Sequence, residues 1–200
     1  MHKPTARTRR LATLIVGPTA ILVAGLLVWQ GSNAAFTAST RNTGNNWETG
    51  SVVLSDDDGG AAAFRVSGVL PGQTGEKCIV VTSDSTVAGE VRLYVDTLGA
   101  QGLENNITVS LQEGTGGSFS DCTGFAADTT LPAQSLAAIA ASHNNYATGG
   151  LPWATTGTAG EHKTYKATWT FDVTGLTQPE IDALQGKSVS ADVAWELQTP

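Results

Sequence analysis

Two stretches near the end of the chain alternate apolar and polar residues with a period of two. In Lys163–Val173, Tyr165, Ala167, Trp169, Phe171 and Val173 share one parity, and Thr164, Lys166, Thr168, Thr170 and Asp172 share the other. In Ser188–Leu197, Val189, Ala191, Val193, Trp195 and Leu197 stand opposite Ser188, Ser190, Asp192 and Glu196, with Ala194 alone out of pattern. Side chains of a strand point alternately to its two faces, so each stretch predicts a strand with one face in a core and the other in water. Further strand signals are a short β-branched run at Ser51–Leu54, a dense apolar run at Lys77–Ser83 and shorter alternating runs at Ala62–Val66, Gly89–Val95 and Ile107–Gln112, separated by Gly- and Asp-rich breaks. Closely spaced strands with turn signals between them predict an all-β protein, a jelly-roll-like antiparallel β-sandwich, rather than a βαβ fold.

One or two short helices are expected in the connections. Pro132–Ser142 is Ala-rich, with Leu136 and Ile139 on one side and Pro132 suited to a first turn. A second begins at Thr177: Thr177 and Glu180 have capping-box spacing, Pro179 falls in the first turn and Gly186 follows the end. The Gly- and Asn-rich segment His143–Gly160 reads as a long loop.

The N terminus has a different character. Lys3, Arg7, Arg9 and Arg10 precede an apolar run, Leu11–Trp29, and then the small residues Gly31–Ala35. Basic, apolar, small is the layout of an export signal, here a signal helix over residues 1–34 with cleavage near Ala34 or Ala35. The run also approaches the length that spans a bilayer, so an uncleaved single-pass anchor is the alternative. Residues 35–200 then form a single sandwich domain, secreted to the cell surface or extracellular matrix. Without the leader, seven basic residues face eighteen acidic ones, a formal charge of −11 against −7 for the whole chain. Such acidity argues against nucleic acid as a partner and favours solubility. The two cysteines, Cys78 and Cys122, predict one disulfide in an exported chain.

Candidate chemistry is sparse, and the residues point to no catalytic group, metal or cofactor. Outside the leader the histidines are His143 and His162, which read as solvated loop residues. Asp56-Asp57-Asp58-Gly59-Gly60 invites a calcium reading, but the EF-hand spacing requires Asp or Asn where Gly60 stands. An exposed acidic turn is the simpler reading. Tyr165, Trp169, Phe171 and Trp195 share parity with Val and Leu, which favours core packing over a carbohydrate platform. Trp47 and Trp153, in irregular surroundings, are the candidates for exposed contacts.

Several short motifs, in order, resemble the TasA/camelysin family of Gram-positive bacteria. They are the long leader, Ala34-Ala35-Phe36-Thr37, Asn46-Trp47-Glu48-Thr49-Gly50-Ser51-Val52-Val53-Leu54, the Leu70-Pro71-Gly72 turn, and Leu184-Gln185-Gly186-Lys187-Ser188 before a strand ending Trp195-Glu196-Leu197-Gln198. The resemblance covers both ends of the chain well and the middle poorly. It implies a jelly roll, a leader removed by a dedicated signal peptidase, and a fibre subunit of the biofilm matrix whose partner is itself. In such fibres an N-terminal segment completes a sheet of the next subunit, which here nominates Ala35, Phe36, Thr37, Ala38, Ser39 and Thr40 as the donor. Other matrix or cell-wall components are further partners on this reading. Camelysins are described as metallopeptidases, but no zinc constellation exists here onto which that activity can be carried. A secreted peptidase and a monomeric adhesion or binding sandwich remain as alternatives. The cysteine pair and the 143–160 segment depart from the family pattern.

Overall fold

The computed structural model describes residues 37–39, 51–61 and 68–200. The chain divides into two units, Met1–Ala35 and Phe36–Pro200, and every described residue belongs to the second. The expected leader with Ala34 and Ala35, the donor positions Phe36 and Thr40, Trp47, and the strand expected at 62–66 all lie outside the described residues.

Among the described residues nine strands form two antiparallel sheets that pack as an all-β sandwich. They are β1 (Thr37–Ser39), β2 (Leu54–Asp56), β3 (Thr74–Ser83), β4 (Gly89–Gln101), β5 (Ile107–Thr115), β6 (Ala126–Ser135), β7 (Gly150–Thr155), β8 (Glu161–Phe171) and β9 (Ser188–Gln198). One sheet has the order β1-β9-β4-β7 and the other β2-β3-β8-β5-β6. The two strands with the clearest alternation, β8 and β9, each turn one face into the core between the sheets. Tyr165, Trp169 and Phe171 of β8 and Trp195 and Leu197 of β9 are buried, so the core-packing reading holds. Around Tyr165 and Trp195, whose rings lie 5.5 Å apart, pack Val81, Val91, Leu93, Leu111 and Leu197. Trp169, Phe171 and Leu103 form a second apolar group.

Among the described residues two short helices occupy connections, α1 (Leu136–Ser142) and α2 (Gln178–Ala183). The α2 start follows the sequence: Pro179 lies in the first turn and the Glu180 carboxylate accepts from the Thr177 backbone N–H at 2.7 Å. The α1 start does not. Leu131–Ser135 completes β6, and Ser135 caps the helix, its Oγ accepting from Ala138 N at 3.2 Å. Pro132 is tolerated there because β6 is an edge strand with a register shift beside it.

The expected loop at 143–160 is also corrected. Tyr146–Thr148 forms one 3-10 turn, and Gly150–Thr155 forms β7 against β4. Leu151 and Trp153 point inward, and Trp153 is only 8% exposed, so it is a core residue and not a surface contact. Pro152 again sits on a sheet edge. Leu151 adopts φ 49°, a left-handed conformation costly for a leucine, where the β4–β7 register shifts. Of the two histidines, His143 ends α1 and joins Thr148 O through Nδ1 at 2.6 Å, whereas His162 is exposed on β8 and not in a loop.

Candidate functional site

Cys78 and Cys122 form a disulfide with Cα atoms 5.4 Å apart. Cys78 lies on the side of β3 that faces away from the core, and the bond fastens the β5–β6 loop across it. That loop turns tightly enough that a Cβ on Gly116 (φ +79°) would collide with the carbonyl oxygen of Gly124. Lys77 Nζ stands 3.8 Å from the centre of the Phe119 ring. Asp57 completes the attachment: Oδ1 accepts from Val80 N and Oδ2 from Phe119 N, each at 2.8 Å.

The acidic turn is therefore partly structural. Asp57 is committed to two backbone N–H groups, and Asp58 Oδ1 accepts from Gly60 N at 2.5 Å. Asp56, at the end of β2, is half-buried; desolvation, reinforced by its neighbour Asp58, pushes its carboxyl up to about 6. Among the described residues no group of three or more His, Cys, Asp or Glu is placed to hold a metal ion.

The remaining feature is an open strand edge beside an apolar cleft. The edge is that of β9. On one side β9 pairs with β4 along its whole length, Ser188 to Gln198. On the other it meets only β1, with Thr37 opposite Gln198, Ala38 opposite Leu197 and Ser39 opposite Glu196. Among the described residues no strand covers Val189–Trp195 on that side. Of the other sheet edges, β6 and β7 carry Pro132 and Pro152, which cannot donate to an added ladder, and among the described residues β2 covers β3 only over Val81–Ser83.

The cleft has a volume of about 1580 Å³. From the five-stranded sheet it is lined by Ile79, Val109, Tyr165, Ala167, Trp169 and Phe171, and from the four-stranded sheet by Leu93, Val95, Ala191, Val193 and Trp195. Ile181 and Leu184 add apolar surface, while Asp56, Asp58, Asp182, Lys187 and Asp192 bring charge. Val193 has core parity and yet is 40% exposed, because the inner face of β9 is incompletely covered there. Small-molecule pockets occupy roughly 300–1,000 Å³, so this cleft exceeds a single drug-sized ligand and suits a row of side chains. Among the described residues, two polar atoms lining it lack a hydrogen-bond partner, Tyr165 Oη and Trp195 Nε1, in residues 3% and 7% exposed. Burial pushes the Tyr165 hydroxyl far above the usual phenol range, so it stays protonated.

Sequence reasoning named the disulfide pair; of the expected donor positions, Thr37 to Ser39 pair with β9 of their own chain. It missed the cleft, whose walls come from five strands distant in sequence. Among the described residues no helix is long and apolar enough to cross a membrane. No protein-family model matches the chain, and no curated protein matches it. The TasA/camelysin resemblance accordingly rests on the motifs alone. Of these, Leu70-Pro71-Gly72 forms a turn before β3, with Gly72 at φ +77°, and Leu184–Ser188 leads into β9.

Proposed function

We propose that this protein is a secreted structural subunit of the cell surface or extracellular matrix, assembling into fibres by strand donation. The observation that carries the reading is the β9 edge, covered over three residues and bare over Val189–Trp195, beside an apolar cleft with Val193 40% exposed. An edge with free N–H and C=O groups pairs readily with an extended segment, and alternate side chains of that segment enter an adjoining cleft. β1 fills the end of this edge within its own chain. Each of its few ladder hydrogen bonds is worth only about 1 kcal/mol net, so exchange of the segment between copies has a low barrier in free energy. Exchange from one chain to the next, without closure, produces a filament. The donor is the segment Ala35–Thr40 and its continuation.

The test is electron microscopy of the secreted, oxidised chain, with its N terminus read by mass spectrometry, beside a variant lacking residues 35–42. Filaments from the first and none from the second are expected. Filaments from both would refute donation by this segment. Monomers from both, across pH, salt and concentration, would leave the monomeric binding sandwich as the better reading.

A further inference from the structure

We infer that Lys163 and Asp128 condense into an intramolecular amide, a covalent cross-link between β8 and β6, with Glu113 moving the protons. The inference goes beyond strand donation and does not depend on it. Its starting point is one cation and two carboxylates on three adjacent strands of the five-stranded sheet, β8, β5 and β6. Lys163 Nζ lies 2.7 Å from Asp128 Oδ2 and 3.1 Å from Glu113 Oε1.

An irregularity of the sheet delivers Asp128 to this place. Glu113 pairs with Thr129 and Gly114 with Ala127, so Asp128 is an extra residue of β6 that β5 does not oppose. A bulge of this kind bends its strand and re-aims a side chain. Gly114 permits the close approach, because a Cβ there would collide with the carbonyl oxygen of Ala126. Lys163 has the parity of Tyr165 and meets Glu113, which is the register partner of Tyr165. The Glu113 side chain is 6% exposed and that of Asp128 53%. One carboxylate is shielded from water, the other opens onto it, and the amine touches both.

That asymmetry divides the roles. The Lys163 ammonium gives a proton to Glu113, since burial favours the neutral form of a carboxyl group. The Nζ lone pair then attacks Asp128 Cγ and forms the C–N bond. The proton held by Glu113 and a second proton from the nitrogen pass to one Asp128 oxygen, the C–O bond breaks, and that oxygen leaves as water on the exposed side. Glu113 ends as the carboxylate it was at the start, so ammonium and carboxylate become amide and water with no other reactant. The reacting amine and carboxylic acid together carry the same protons as the ion pair, so neutral pH suffices. The ion pair is the major form, because the two carboxylates hold the lysine above its usual range, and condensation therefore follows folding slowly. Contact supplies the driving force: groups held in reacting geometry reach effective molarities of roughly 10⁵ M or more, far beyond separate solutes in water. The product joins residues 35 apart and fastens the exposed edge strand β6 to β8 inside the sheet, as Cys78–Cys122 fastens the β5–β6 loop to β3.

The experiment is mass spectrometry of the reduced, denatured chain after prolonged incubation in its folded form, followed by tandem spectra of its peptides. A chain lighter by one water is expected, with the peptide carrying Asp128 joined to the peptide carrying Lys163. Glu113→Gln should form the link about 100-fold more slowly, the loss of one proton-transferring group, while circular dichroism shows the fold unchanged. Lys163→Arg and Asp128→Ala should keep their full mass. Asp58-Gly59 is able to lose water within its own peptide, as a succinimide. A loss confined to that peptide, or one that persists in Asp128→Ala, would overturn the inference. Full mass in the unaltered folded chain would overturn it too, and that result requires no variant to fold.

Discussion

Lys163 holds two carboxylates at the end of β8: Glu113 at 3.1 Å and Asp128 at 2.7 Å. The hydrogen bonds it donates to Asp128 and then to Glu113 hold its ammonium above the usual lysine range. Glu113 is only 5% exposed and is the register partner of Tyr165 across the β5–β8 ladder. A buried carboxylate without its cation is costly, so Lys163→Met is expected to destabilise the fold by about 3 kcal/mol. Glu113→Gln in that background should recover much of the loss, as read by urea denaturation. Asp56 acts in the opposite sense. Its carboxyl titrates at about 6 in the folded chain against 3.8 without perturbation, so the fold favours the protonated form. Its contribution to stability is present below pH 4 and is lost as pH rises through 6. Asp56→Asn should therefore match the original chain at pH 4 and exceed it at pH 7 by about 1 kcal/mol, a value discounted for partial solvation. Thermal melts across that range, with the variant's dependence flattened between pH 4 and 6, check the sign.

At the scale of elements, the disulfide and the short edge strands carry the lesson. Cys78–Cys122 closes a separation of 44 residues, a constraint on the unfolded chain worth roughly 4 kcal/mol in the entropy model. Replacing both cysteines by serine should lower stability by about that amount and release the Phe119 loop from β3, whereas Asp57 and Lys77 alone would hold it weakly. Denaturant midpoints and exchange of the Phe119 amide measure the two effects. β8 and β9 were legible in the sequence because each has one buried and one wet face, and α2 was legible from its cap. β6 was not: Ala126–Ser135 is an exposed edge whose residues show no apolar alternation and include Pro132. β7 was hidden by its Asn- and Gly-rich surroundings, although Leu151 and Trp153 keep strand parity and would have been the signal. Even β9 departs from its simple pattern, since Ala194 and Glu196, on its outward parity, are buried. The Tyr94 hydroxyl donates to Glu196 there at 2.8 Å, a contact between strands that periodicity does not encode.

For the whole molecule, assembly is a question of which edge stays open and what lies beside it. Two sheets supply four edges; prolines mark β6 and β7, and β2 is three residues long. Among the described residues β9 is bare over Val189–Trp195, next to the cleft. The acidic balance of the chain without its leader, −11, adds mutual repulsion that weakens as acid pH protonates the carboxylates. Assembly should consequently be faster at pH 5 than at pH 8, and added salt should narrow the difference; light scattering at the two pH values tests this. The central claim, that an incoming strand joins β9, is tested most directly by hydrogen–deuterium exchange of the peptide covering 188–195, compared between monomer and filament. In an antiparallel strand about half of the amides point to each neighbour, so roughly half of those in this peptide should gain strong protection on assembly. Filaments in which 188–195 exchanges as it does in the monomer would contradict the account.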